Sequence, residues 1–319
     1  MKYKVFTHTN GNIKTKVRKT AKYILTILGC VVANLAFSQN YIPYHPADWE
    51  FKNNADLVDF SQVTGVTTRH LTLDGNKELP VYETNLQWNK TYQLVFLQFV
   101  DNNNSDADFA VEINYTNPNG NALKSVEIIN PKTAKTLEER EYTNGSFDVE
   151  KISIKRYLTN VAQPEVLEVK YEGNDDDYIQ ETVYTPQKTI DRQTKRWYKH
   201  NDNSSYQSVK KIYFGKQQTP NQTDSLVLSE NQKKLAHFVI NNGKTTKTYY
   251  TYKPRKVEVF GDEQDYQQLE RIVKDGKDTE RYEYEYDAQG NWIVCKIYKI
   301  KFARWELTDI KRREIEYRN

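Results

Sequence analysis

Beyond about residue 60 the chain is written in twos. The clearest stretch is Tyr282-Glu283-Tyr284-Glu285-Tyr286-Asp287, three rings on one parity and three carboxylates on the other. Successive side chains of a strand point to opposite faces, so this pattern predicts a sheet with one packed face and one wet face. An antiparallel sheet tolerates that arrangement, whereas a parallel sheet covered on both faces does not. No stretch after residue 60 sustains a 3.6-residue apolar period. Strands are read from 66–73, 79–87 and 92–100 through to 244–252, 256–260, 267–274, 277–286, 292–301 and 306–317.

The corners between these strands are glycines. Asp74-Gly75, Asn119-Gly120, Asn144-Gly145, Asn242-Gly243 and Asp275-Gly276 each sit between strand-like runs. Tight hairpins need positive φ at their central residues, which Asn-Gly and Asp-Gly supply at the least steric cost. A two-residue loop at Asp275-Gly276 sets Lys274 opposite Lys277, Arg271 opposite Glu280, Glu270 opposite Arg281 and Leu269 against Tyr282. The fold expectation is all-β: a long antiparallel meander of about 15–19 hairpin-linked strands, as an open twisted sheet, sandwich-like or partly wrapped. Its two halves would meet near 160–190.

The first 38 residues read as an address. Residues 1–22 are basic and free of acids, an apolar run spans Tyr23 to Phe37, and Ala36-Phe37-Ser38 offers a small-x-small exit. This is the layout of a secretory signal peptide cut after Ser38. The run is shorter than the ~20 residues that cross hydrocarbon. Ile27-Leu28-Gly29-Cys30 also resembles a lipobox, which would make Cys30 a lipidated residue. Residues 39–61, with Pro43, Pro46 and Trp49, read as irregular, and 62–319 as the hairpin region.

Composition narrows the classes. Of 319 residues, 37% are apolar, 24 are Tyr and two are Cys; the mean hydropathy is −0.86. These values exclude a polytopic helical membrane protein and a disulfide scaffold. The formal charge is +3, with 46 basic and 43 acidic residues. Removing the leader takes seven basic residues and no acidic one, which leaves 39 against 43, a net of −4. Nucleic-acid binding, which needs a clustered positive surface, loses its footing.

The stretch from Gly276 to Trp292 resembles the tyrosine-aspartate (YD, Rhs-like) repeat of secreted bacterial proteins. Tyr284, Tyr286, Asp287 and Gly290 match its tyrosine-x-tyrosine-aspartate, two residues, glycine core. Asp287-Ala288-Gln289-Gly290 suits a type I turn closed by a left-handed Gly. One good copy covers about 40 residues. A weaker echo at Asn242-Gly243 and Tyr249-Tyr250-Thr251-Tyr252 lacks the Asp and the second Gly. The resemblance implies a β-rich extracytoplasmic scaffold and no catalytic activity.

Candidate chemistry is sparse. His45, His70, His200 and His237 are scattered, with no HExxH, CxxC, GxSxG, P-loop or dinucleotide fingerprint. Cys295 lies in a strand-like run and reads as a buried thiol. Asp101, Asn103, Ser105 and Glu112 occupy positions one, three, five and twelve of a calcium loop that lacks the glycine at position six. Asn174-Asp175-Asp176-Asp177 is a second acidic tip. Tyr249, Tyr250, Tyr252, Tyr282, Tyr284, Tyr286 and Trp292 form aromatic strips suited to stacking on sugar rings or a peptide, or to paving the sheet. The leading expectation is a non-enzymatic scaffold or binding protein, exported to the periplasm or outer surface. Its partner would be an envelope polypeptide or glycan, with no cofactor beyond calcium and no membrane span after leader removal. The alternative is a secreted carbohydrate-active hydrolase using a carboxylate pair. A membrane β-barrel is opposed by outward charges such as Glu283 and Glu285, where lipid would need apolar side chains.

Overall fold

The computed structural model describes residues 57–58, 60–104, 107–116, 122–144, 149–158, 161–174, 178–201, 205–229, 233–241, 243–259 and 262–318. A 3-10 turn at Phe60–Gln62 leads into eighteen strands. They are β1 (Val63–Asp74), β2 (Lys77–Trp88), β3 (Leu94–Asp101), β4 (Phe109–Tyr115), β5 (Leu123–Asn130), β6 (Lys135–Asn144), β7 (Val149–Arg156), β8 (Glu165–Asn174) and β9 (Tyr178–Tyr184). They continue as β10 (Ile190–Asn201), β11 (Ser205–Phe214), β12 (Gln222–Ser229), β13 (Lys234–Asn241), β14 (Lys244–Val259), β15 (Asp262–Lys274), β16 (Lys277–Tyr286), β17 (Trp292–Lys301) and β18 (Arg304–Tyr317). No described segment is an α-helix, as the period-two pattern predicts.

Each strand pairs antiparallel with the next, and β18 returns to pair with β1 from Val63↔Tyr317 to Thr72↔Asp309. The expected open sheet is therefore corrected: the meander closes into an 18-stranded barrel. Closure gives the two terminal strands partners for edges that would otherwise stay bare. On the outer face Arg69 bridges Glu83 of β2 at 2.7 Å and Glu314 of β18 at 2.5 Å across the closing seam. Beyond the last strand, the Arg318 N–H donates to the Gln62 carbonyl at 2.7 Å. Pairing also runs without interruption from β8 through β9 to β10, where two halves were expected to meet.

Turn chemistry explains the register. Asp275 (φ 49°) and Gly276 (φ 77°) form the expected tight turn, with Lys274 opposite Lys277. Val273 still faces Asp278 as expected, but at the next pair the expectation fails. Thr279 is an extra residue, so Ile272 faces Glu280 and Arg271 faces Arg281. A bulge of this kind bends a strand and increases its twist. The predicted Arg271–Glu280 and Glu270–Arg281 pairs do not form. Arg271 instead meets Asp278 at 3.4 Å, and Arg281 meets Glu283 at 2.8 Å. The expected strands 244–252 and 256–260 are one strand, β14, which runs straight through Pro254.

Burial separates the two faces. On one face the row Val66, Leu86, Leu97, Val111 and Ile128 passes from β1 to β5 in register. Ile128, Ile152 and Ile154 are 0% exposed. Outward side chains of a one-layer wall cannot be that dry, so this face is the inner one. A round wall of this strand number would leave an aqueous channel; here the inner side of β4–β9 is filled. The row then turns ionic. Glu138, itself buried, accepts from Arg140 Nε at 2.6 Å and Arg156 Nε at 3.0 Å, and Arg140 is 0% exposed. Across β8–β9 the Tyr171 hydroxyl donates to Glu181 at 3.0 Å. Burial, then that carboxylate, holds the phenol far above its ordinary pKa. The outer wall is polar and carries ion pairs such as Lys151–Glu168, Lys296–Glu285 and Arg312–Glu78.

Candidate functional site

The wall loosens at one place. β13 pairs with β14 only as far as Tyr249, and β16 pairs with β15 only from Arg271 onward. The remaining residues of β14 and β15, from Tyr250 to Glu270, pair with each other alone and form a two-stranded arm. This accounts for Pro254: a strand with one free side tolerates a residue that has no N–H to give.

Cations tether the arm on both sides. Lys233, in the β12–β13 connection, donates to the Gln267 carbonyl and lies 5.6 Å from the Tyr252 ring and 4.1 Å from the Tyr266 ring. On the other side Arg255 donates to the Gly290 carbonyl, with its guanidinium 3.6 Å from the Tyr286 ring. Cation–ring contacts of this kind contribute about 0.5–2 kcal/mol each. Gly290 sits at φ +82°, and a Cβ there would lie 2.7 Å from Cγ1 of Val257. Glycine is thus required both by the backbone conformation and by the close approach of β14.

The turn beneath the arm is a hydrogen-bonded hub. Asp287 Oδ1 accepts the Asn291 N–H at 2.8 Å, and Asp287 Oδ2 accepts the Tyr317 hydroxyl. Asn291 Nδ2 donates to the Tyr317 oxygen at 2.9 Å, and Asn291 Oδ1 accepts the Val58 N–H at 2.7 Å. Burial, then the Asp287 carboxylate, pushes the Tyr317 phenol up to about 12. Asp287, Gly290 and the neighbouring Asn291 therefore join the β16–β17 turn, the last strand, the segment before β1 and the arm.

Between the arm and β16 lies a cleft of about 380 Å³. Tyr282, Tyr284 and Tyr286 form one wall, and Lys253, Arg255 and Gln268 belong to the arm opposite. The three rings stack at centroid distances of 6.4 and 6.3 Å. Their cross-strand partners on β17 are Ile297, Cys295 and Trp292. Trp292, Cys295 and Ile297 form a buried cluster behind the rings, which are themselves half-buried. Trp292 meets Tyr284 edge-on at 6.1 Å and carries Arg313 at 3.5 Å. Burial, then a hydrogen bond to Glu280, raises the Tyr282 phenol, and burial raises Tyr286, so these two rings are uncharged at neutral pH.

The other aromatic candidates divide between faces. Tyr249 is on the outer wall against Phe238, at 5.8 Å. Tyr250 and Tyr252 begin the arm, and the Tyr252 hydroxyl donates to the Lys234 carbonyl at 2.8 Å. Sequence reasoning missed Arg255, Lys233 and Gln268; Pro254 is the one signal that marks the arm in advance. The cleft carboxylates Glu270 and Glu283 lie on its borders. Glu283 is engaged by Arg281 and by the Tyr298 hydroxyl at 2.8 Å.

For the calcium candidates, Asp101 Oδ1 accepts the N–H groups of Asn103 and Asn104 at 2.8 and 3.1 Å, which closes its own loop. The Asp101 N–H donates to buried Asp108, whose other oxygen lies 2.7 Å from the Lys132 ammonium. Glu112 projects from the exposed side of β4, between Phe96 and Glu127 of the neighbouring strands. Ser105 lies outside the described residues, as do Asp175–Asp177 and the leader with Cys30. Among the described residues, no three His, Cys, Asp or Glu side chains cluster as a metal site. No described helix is long and apolar enough to cross a membrane.

No protein-family model matches the chain, and no curated protein does. Solved structures overlap it loosely. A porin-like protein from Bacteroides uniformis aligns at 10% identity over 80% of this chain and 98% of its own, with a TM-score of 0.36. One from Bacteroides vulgatus aligns at 9% identity over 80% and 98%, with a TM-score of 0.30. The TcdB2–TccC3 structure aligns at 10% identity over 74% of this chain and 19% of its own, with a TM-score of 0.25. Overlaps this loose assign neither a family nor an activity.

Proposed function

We propose that this chain is an exported, non-enzymatic binding protein of the cell envelope that holds an extended polypeptide segment in the cleft between β15 and β16. One observation carries the reading: the tyrosine ladder lines an opening where two strands have parted. Facing strand edges present rows of backbone donors and acceptors at the spacing of an extended peptide, and rings beside such an edge supply contact area. A glycan would use the rings but not the edges, so the combination favours polypeptide. The export part of the reading rests on the basic and then apolar pattern of residues 1–38, and the ion-paired outer wall argues against a lipid-facing belt, where each buried cation would cost roughly 2–4 kcal/mol.

The test uses the difference in intrinsic emission between the wild type and Trp292→Phe, since Trp292, one of five tryptophans, touches the ladder. Titration with a library of short unstructured peptides should change the emission saturably, and Tyr284→Ala should weaken the strongest binder about tenfold or more. Saturation by oligosaccharides with no response to peptides would replace the ligand class. Equal binding by the wild type and Tyr284→Ala would remove the cleft as the site.

A further inference from the structure

In an up-and-down barrel every odd-to-even turn falls on the same rim. Here that rim carries nearly all the large apolar side chains that the described residues expose. Tyr157, Leu158 and Val161 lie in the β7–β8 connection, Phe214 ends β11, Ile240 nears the end of β13, and Phe302 tips the β17–β18 hairpin. The tips from β9 to β18 are also basic. Lys188, Lys216, Lys244, Lys301 and Arg304 are all exposed, and Lys274 and Lys277 flank the β15–β16 turn. Asp275, in the β15–β16 turn, already accepts the Lys247 N–H at 2.8 Å, Asp278 beside Lys277 meets Arg271 at 3.4 Å, and Asp191 flanks the β9–β10 turn, so bases outnumber carboxylates at these tips. A hollow of about 480 Å³ between Gln217–Asn221 on one side and Ile240 and Gly243 on the other opens on the same rim.

The β17–β18 tip is the second, independent observation. Its central residues are Phe302 (φ 48°) and Ala303 (φ 61°), with Lys301 opposite Arg304. Two left-handed residues in a tight hairpin favour Asn-Gly or Gly-Gly. This turn instead holds a phenylalanine that is 96% exposed. Both the backbone and the exposed ring work against the isolated protein, a combination that fits a side chain whose environment is supplied from outside.

We propose that this rim docks the protein onto an anionic lipid bilayer, with the apolar tips entering the interface and the lysines and Arg304 facing headgroup phosphates. Apolar side chains on separate hairpin tips, spread over several strands and interleaved with bases, match a soft plane. They do not build one pocket for a protein partner. The proposal is independent of the cleft.

The experiment is flotation of the full chain with phosphatidylglycerol–phosphatidylcholine vesicles and with pure phosphatidylcholine vesicles. The leader is common to every variant, so differences between variants report the rim. Wild type should partition preferentially onto the anionic vesicles. Phe302→Gly should weaken that partition about tenfold while holding or raising Tm, because glycine relieves the turn. Lys301→Gln with Arg304→Gln should weaken it too and flatten its salt dependence. In Phe302→Trp, emission should shift to the blue on anionic vesicles and be quenched by brominated lipid. Equal partition of wild type and Phe302→Gly, no preference for anionic lipid, or an indole at position 302 that brominated lipid does not quench would each overturn the proposal.

Discussion

Replacing Glu138 by Gln tests the filled interior directly. This carboxylate, 2% exposed, is shared by two guanidiniums, Arg140 at 2.6 Å and Arg156 at 3.0 Å. Arg156 has a second, longer contact to Glu165 at 3.6 Å, but Arg140 has no exposed surface. Removing this carboxylate takes from Arg140 the partner at 2.6 Å in a dry site, and breaking a buried pair in this way costs about 3–5 kcal/mol. With a urea slope of roughly 3 kcal/mol/M for a chain of this length, the midpoint should fall by about 1 M or more. Urea unfolding followed by tryptophan emission is the assay, with Glu168→Gln as control. That residue holds Lys151 and Lys170 at the surface, where such pairs contribute about 0–1 kcal/mol. The double replacement Glu138→Leu with Arg140→Met should recover most of the loss, because it removes both charges of the pair. If Glu138→Gln and Glu168→Gln unfold at the same midpoint, the inner face of β6–β7 is wet and the account of a filled barrel is wrong.

Asp287→Ala removes the acceptor for both the Asn291 N–H and the Tyr317 hydroxyl, and should lower stability by about 2–3 kcal/mol in the same assay. Gly290→Ala combines a left-handed backbone with a contact against Val257; it should cost at least ~1–2 kcal/mol and speed protease cleavage within 250–270 by dislodging the arm. Acid should weaken the closing seam in two stages. Burial, then the facing Lys311, lowers the pKa of His70 from 6.5, although Asp309 at 3.4 Å opposes this. A depressed pKa means the fold favours neutral His70, so that contribution is complete above about 6.5 and is lost as pH falls through the folded value. Burial alone would raise Asp309, but hydrogen bonds from Lys299 and Thr308 and the Lys299 charge carry it below 3.8, so its contribution disappears only at lower pH. His70→Gln should therefore flatten the upper part of the acid limb in a Tm-against-pH series and leave the lower part in place.

Local features of the fold were legible in the chain because they depend on neighbours. The Asp275-Gly276 turn, the alternation of Tyr282–Asp287 and the absence of α-helix among the described residues each follow from a few adjacent residues. Closure was not legible, since it rests on Val66 meeting Ile315 and Arg69 meeting Glu314. No pattern within either strand marks that pairing. The slip at Thr279 was hidden for a related reason: bulges answer to the curvature of the whole wall. Pro254 falls in the gap between the expected strands 244–252 and 256–260, and in the fold it marks where pairing on one side has ended. The tyrosine ladder was visible from spacing alone, but the cleft needed Arg255 and Gln268, which only the folded arm brings opposite it. Glu138-Glu139-Arg140-Glu141 is an unbroken run of charges that marks neither face as dry, and nothing short of the register places Glu138 and Arg140 inside.

Ring closure between β1 and β18 sets the order of assembly. Every other pairing joins neighbours in the chain and can zip hairpin by hairpin, with little loop entropy to overcome. The last contact joins the first and last strands of the sheet, so it waits until β18 has emerged. Until then β1 and β17 each carry a bare edge, and shortening the C-terminus by one strand would make that unfinished, aggregation-prone intermediate permanent.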